Sequence, residues 1–318
     1  MSDLQNPIFH DDNLAREWLE NHLWPDGAVC PHCGVLDVTK VKSKKGSKTR
    51  PGLYQCNAKE CRQQFTVTVG TVYERSKLPL SKWLFATYLL SASKKGMSTR
   101  QLSRMLGVSV KSAWFMTHRI REGMKPAPRT PALGGEGKTI EADETFVGGR
   151  EKNRHKHKRG KHIGGPYGRQ VVFTLIERGG RAHSTHVPSI SAKNLRPVMV
   201  KMASRKSKLM TDEGGQYLHV GKEYASHDVV KHSADEYVRG DAHVNTTEGF
   251  FSILKRGITG VYHNVSEAHL QRYLVEFDFR YSHRKALGFN DMDATKAAVK
   301  GIQGRRLTYR RPDNTANA

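Results

Sequence analysis

Two pairs of cysteines and three widely separated carboxylates are the residues whose types and spacing could do chemistry in this chain. Cys30 and Cys33 are separated by two residues, Cys56 and Cys61 by four, and 22 residues lie between the pairs. In a reducing compartment four thiolates so spaced take Zn²⁺ tetrahedrally, each short turn supplying two ligands. Two disulfides would use the same residues but need an oxidising compartment. The carboxylates are Asp143, Asp212 and Glu248. Asp143 lies in the alternating stretch 138–147, which reads as a strand and puts Glu141 on the same face. Asp212 closes a short apolar run, 208–212, at a Gly-rich turn. Carboxylates at the ends of neighbouring strands converge on hard cations such as Mg²⁺ or Mn²⁺. A pair of such cations activates a water or a 3′-hydroxyl and stabilises the leaving oxygen of a phosphodiester. Glu248 falls in residues 245–256, read as a helix whose polar stripe also carries Ser252 and Lys255. The same residues fit a capping box, Asn or Thr followed three positions later by Glu, which would make Glu248 a helix-start residue. Both readings stand at this point.

The elements around these residues can be read from pattern and punctuation. Residues 1–75 are expected to hold a short helix, capped at Asp12 or Asn13, and then a zinc ribbon whose second cysteine pair leads into a strand over 65–69. Residues 40–50 carry six Lys/Arg and no acid, a loop suited to phosphate or simply to solvent. Residues 76–125 read as a helix-turn-helix: an apolar helix over 81–92, a second capped by Ser98 and ending at Leu106, a turn at Gly107, Val108 and Ser109, and a third over 110–121. On the third helix Trp114 and Ile120 are expected inward, with Lys111, His118 and Arg119 outward toward DNA. A Pro/Gly-rich linker, 126–137, precedes an α/β region over 138–290. Its strands are expected at 138–147, 170–177, 183–187 and 208–212, and its helices at 191–204, 245–256 and 266–284. On the last of these Arg272, Arg280 and Arg284 are assigned to the outer or site-facing side. Residues 150–169 hold eight Lys/Arg and one acid and read as a DNA-facing loop, with Lys156, Lys158 and Arg159 toward phosphate. Residues 291–318 read as a basic tail.

Composition points the same way. With 53 Lys+Arg against 30 Asp+Glu the formal net charge is +23, and the expected partner is a polyanion, nucleic acid before any other. The longest apolar stretch, residues 83–90, is far shorter than the ~20 residues a membrane helix needs. The first residues carry no apolar export segment. A soluble protein with no membrane partner is expected.

The order of these parts resembles a known family. The residues around Trp24, Pro25 and the first cysteine pair, Lys77 to Leu80, Gln101 and Leu102, Leu106 to Val108, Ala113 and Trp114, the run from Glu141 to Gly149, residues 245–256 and residues 269–284 together resemble bacterial insertion-sequence transposases of the zinc-ribbon, DDE-type group, insertion-sequence family fifteen-ninety-five. The resemblance implies an α/β fold: an RNase H-like mixed sheet flanked by helices, preceded by the zinc ribbon and helix-turn-helix. It implies catalytic roles for Asp143 and Asp212. Many relatives carry Asn as the third ligand, which points to Asn245, whereas a carboxylate is the better ligand for a hard cation and favours Glu248. Lys255, followed by Arg256, matches a lysine that contacts DNA phosphate. The implied cofactors are Mg²⁺ or Mn²⁺ at the carboxylates and Zn²⁺ at the cysteines. The implied partners are double-stranded DNA (terminal inverted repeats and target DNA) and at least a second copy of the chain, in a cytoplasmic, nucleoid-associated setting. Two rival functions use the same parts: a domesticated, non-catalytic DNA-binding regulator, and an RNase H-like nuclease that cuts without joining.

Overall fold

A computed structural model describes residues 3–42, 50–149, 155–158, 169–230 and 243–308. It divides into two compact units. Met1–Ser93, Met97–Lys125 and Asn290–Ala318 make the first; Lys94–Gly96 and Pro126–Phe289 make the second.

In the first unit α1 (Asp12–Leu23) starts at Asp11, whose carboxylate accepts the N–H groups of Asn13 and Leu14, one residue before the cap expected. A small antiparallel sheet follows, β1 (Val38–Lys40), β2 (Tyr54–Cys56) and β3 (Gln64–Phe65), in sequence order. The strand expected over 65–69 stops at Phe65. There the Val69 N–H donates to the Thr66 carbonyl and the Thr71 hydroxyl to the Thr68 carbonyl. Threonine hydroxyls offer the backbone local partners that compete with a ladder. Trp24, Tyr54 and Phe65 pack their rings together over the sheet. Then come α2 (Leu80–Ala92), α3 (Thr99–Leu106) and α4 (Val110–Gly123). Ser98 and Ser109 cap α3 and α4 by accepting the N–H groups of Gln101 and Ser112. Between them Gly107 takes φ +60, the left-handed conformation that ends α3 and redirects the chain. Leu102, Leu106, Ala113, Met116 and Ile120 form the buried side of the pair.

The second unit is built on a five-stranded mixed sheet of β4 (Thr139–Val147), β5 (Gln170–Glu177), β6 (Ala182–Val187), β7 (Lys208–Asp212) and β8 (Ser226–Val230), in the order β6-β5-β4-β7-β8. β5 runs antiparallel to β4 and β6, whereas β7 and β8 run parallel to β4. Helices cover both faces, which is why β5 is a nearly continuous apolar run. Val171, Phe173 and Leu175 meet Leu195 and Met199 of α5 (Ala192–Met202). Val172 and Ile176, on the other face, meet α6 (Asn245–Gly257) and α7 (Glu267–Ser282) through Phe250, Leu254, Leu274 and Phe277. This is the expected RNase H-like α/β arrangement of a mixed sheet flanked by helices. β8 has no counterpart among the expected strands.

Two expectations are corrected here. Residues 291–308 are not a tail: α8 (Asp291–Lys300), closed by a capping box between Asn290 and Asp293, buries Ala294, Ala298, Val299 and then Ile302 within the first unit. Arg280 of α7, assigned to the outer or site-facing side, is buried, ion-paired with Glu276 and laid over the Phe277 ring. Arg284 donates to the carbonyls of Gly180 and Tyr281. Among the described residues no helix is long and apolar enough to cross a membrane.

Candidate active site

Strand pairing decides where the acids lie. Glu141 of β4 pairs with Met210 of β7 in parallel register, so two residues further on Asp143 and Asp212 stand level on adjacent strands. Neighbouring strands are about 4.8 Å apart. Asp212 ends β7, where its Oδ1 accepts the Gly214 N–H at 3.0 Å in a tight turn. On β4, Ile140 and Ala142 join the core under α5, and the alternate residues Glu141 and Asp143 take the other face, toward α6. Glu248 is exposed one turn into α6, and Lys255 and Arg256 are exposed in its last turn. The Arg256 guanidinium bonds back to Ser252.

The carboxylates act on one another. Burial, and then the charges of Glu144, Asp212 and Glu248, push Asp143 up to about 8, although its Oδ1 accepts the Glu144 N–H at 2.7 Å. Glu248 is therefore close enough for its charge to be felt at Asp143. Asn245 is the exposed first residue of α6. The alternative reading of Glu248 as part of a capping box is not met: Val244 holds the N-cap position, and no side chain of the helix's own caps it.

Sequence reasoning missed Glu144. It points to the opposite face of β4 from Asp143, where Gln216 and the Tyr217 hydroxyl donate to its two oxygens. Burial and the charge of Asp212 push it up to about 7 against those two hydrogen bonds. The available signal was a second acid directly after Asp143. Asp143 and Asp212, half-buried and level on adjacent strands, and the exposed Glu248 offer carboxylate oxygens that fit a hard divalent cation, whose charge would offset the burial and repulsion that raise Asp143.

The four cysteine sulfurs lie within 4.8 Å of one another. Sγ of Cys30 is 3.7 Å from that of Cys61, and Sγ of Cys33 is 3.6 Å from that of Cys56. A tetrahedral Zn²⁺ site with Zn–S of about 2.3 Å has edges of about 3.8 Å, so these are ligand spacings and far too long for a disulfide. The cysteines are free thiols.

The helix-turn-helix needs a correction. Lys111 is exposed at the start of α4, but His118 and Arg119 are buried. Arg119 donates to the Glu74 carbonyl at 2.6 Å and lies over the rings of Trp83 and Phe115, while the His118 ring packs at 4.3 Å on Trp114. A buried cation given a carbonyl and aromatic faces is a core group, not a DNA contact. Of the basic loop, Lys156 is exposed within the single turn Lys156–Lys158, and Arg159 lies outside the described residues.

The sequence of residues 132–282 matches the ISXO2-like transposase domain, and residues 10–64 match the transposase zinc-ribbon domain. The chain belongs to this insertion-sequence transposase family. An uncharacterized protein in transposable element ISH50 of Halobacterium salinarum is 29% identical over 282 residues, 86% of this chain and 91% of that one. Solved structures show slighter likeness. A simian T-cell lymphotropic virus intasome in complex with PP2A regulatory subunit B56 gamma has a TM-score of 0.30 at 15% identity and covers 56% of this chain. The match spans 63% of that chain's own length. A pre-cleavage Mos1 transpososome has a TM-score of 0.28 at 10% identity, covering 65% of this chain and 75% of that one. The Mos1 strand transfer complex has 0.28 at 13%, covering 71% and 77%. Family membership rests on the sequence matches.

Proposed function

We propose that the chain is the DNA transposase of its insertion sequence, cleaving phosphodiesters at the element's ends and joining the freed 3′-hydroxyls to target DNA. The observation that carries this reading is the strand register that sets Asp143 and Asp212 level on adjacent strands, with the charge of Glu248 on α6 felt at Asp143. These three residues would hold Mg²⁺ or Mn²⁺, with Glu248 rather than Asn245 as the third ligand, because Glu248 carries the charge that Asp143 feels. When bound, divalent cations supply an activated oxygen nucleophile and stabilise the leaving oxygen. Asp143 and Asp212 orient the cation from adjacent strands, and Lys255 and Arg256, exposed at the far end of α6, meet DNA phosphate. The proposed chemistry is hydrolysis followed by direct transesterification, with the freed 3′-hydroxyl as the nucleophile of the second step. The cysteines hold Zn²⁺ and so stabilise the ribbon. The exposed start of α4, with Lys111, reads the terminal inverted repeats. Synapsis of two ends requires at least a dimer.

End-labelled DNA from the flanks of the gene, incubated with purified protein and Mg²⁺ or Mn²⁺, tests the reading. Wild type should give cleaved and strand-joined products, and Asp143→Asn should give neither. Cleavage without joining would mean a nuclease. Retarded DNA with no cleavage under either metal would mean a regulator.

A further inference from the structure

We infer that Glu141 and Arg178 are positioning residues: a buried clasp that sets the start of α6, and hence Glu248, against Asp143. The inference rests on the reading of Asp143, Asp212 and Glu248 as cation ligands and adds two residues that touch neither cation nor DNA.

The first N–H groups of any helix lack partners within it. The N-cap position of α6 is held by Val244, whose side chain cannot cap, yet Thr247 is fully buried. Its donors are satisfied from another element. The Thr246 and Thr247 N–H groups donate to Oε2 of Glu141 at 2.9 and 3.0 Å, and the Thr246 hydroxyl donates to Oε1 at 2.8 Å. Glu141 itself is completely buried in the middle of β4, where an unpaired carboxylate would be costly. Arg178, just past the end of β5, answers that charge: its Nε donates to Oε1 at 2.6 Å, and its NH2 reaches the His243 carbonyl at 2.8 Å, on the segment that leads into the helix. The negative carboxylate also faces the positive end of the helix dipole.

What this arrangement ties together matters. Glu141 is two residues before Asp143 on the same face of the same strand, and Thr247 directly precedes Glu248. One side chain thus links the backbone carrying the first carboxylate to the helix turn carrying the third. Both oxygens of Glu141 are filled by donors, so it is not itself a ligand. Partners that orient metal ligands typically change metal affinity by about 10–100-fold when removed.

Mn²⁺ binding to the full-length, DNA-free protein, followed by calorimetry and by the Mn²⁺ paramagnetic resonance signal, tests this directly. Asp143→Asn should abolish binding. Glu141→Gln and Arg178→Met should stay folded by circular dichroism but bind Mn²⁺ about tenfold or more weakly. Arg178→Lys, which keeps the charge but not the fork, should recover part of the loss. Amide exchange at Thr246 and Thr247 should speed up in Glu141→Gln. If Glu141→Gln does not fold, Arg178→Met and Arg178→Lys carry the test alone. Folded variants with a lowered melting temperature and wild-type Mn²⁺ affinity would reduce the clasp to a stabilising contact and overturn the inference. No Mn²⁺ binding by wild type, or equal binding by Asp143→Asn, would remove the ligand reading and this inference with it.

Discussion

Several acids in the second unit are held where charge is expensive, and only some of them belong to the candidate site. Asp278 of α7 is buried, and accepts both the N–H and the hydroxyl of Ser184 at 2.6 Å. Burial nevertheless pushes its pKa up to about 7 from 3.8. A raised acid makes the folded state bind more protons than the unfolded chain between those two values. Stability therefore falls as pH rises from about 4 to about 7. The slope from one such group is at most about 1.4 kcal/mol per pH unit. Asp278→Asn cannot titrate, so its denaturant midpoint should change less across that window than wild type's. The slope should shrink without vanishing, because Asp143 and Glu144 are raised in the same direction. An unchanged slope in urea titrations from pH 4 to 8 would mean that Asp278 is charged at no cost.

At the scale of elements, what the sequence made legible was pattern, and what it hid was partnership. β4, β5 and β7 announce themselves by alternation or apolar runs ending at Gly. The caps Ser98 and Ser109 and the turn at Gly107 follow directly from residue type. β8 was not legible because Ser226, His227 and Asp228 give no apolar pattern; its place comes from pairing with β7. A capping role for Glu248 stayed open beside the ligand role because nothing local reveals that Glu141, 105 residues before Thr246, already serves that end of α6. His118 and Arg119 were assigned to DNA because polar type was read as exposure, while the Glu74 carbonyl and the Trp83 ring that receive Arg119 lie far away in sequence. That difference predicts opposite phenotypes on one helix. Lys111→Ala should weaken DNA binding and lower the slope of log affinity against log salt by about 0.9, one phosphate's worth. Arg119→Ala should leave the slope unchanged and cost about 2–4 kcal/mol of stability through its lost carbonyl bond and ring contacts. Gel-shift titrations over a salt series, with melts of the same samples, separate the two.

At the scale of the whole molecule the chain leaves the first unit and returns to it. Both family matches end by residue 282, yet α8 and Ile302, beyond that point, complete the core that α2 and α4 form. The closure is a backbone contact. A Cβ placed on Gly301 would sit 2.0 Å from the Gly123 carbonyl oxygen at the end of α4, and one on Gly123 would meet Ile302 at 3.0 Å. Gly301 has an ordinary helical φ of −78, so its smallness is needed for approach and not for conformation. Val299 and Ile302, on either side of Gly301, are buried, at about 1.5–3 kcal/mol each, a large share of a typical domain stability of about 5–15 kcal/mol. Gly301→Ala must push α8 off α4. Overpacking of this kind costs about 1–3 kcal/mol. The loss should appear as a lowered melting temperature and weaker binding to the terminal repeats. Mn²⁺ affinity should stay within twofold of wild type, since every carboxylate of the candidate site belongs to the other unit. A variant that melts and binds DNA like wild type would show that the C-terminal helix is dispensable to the helices it covers.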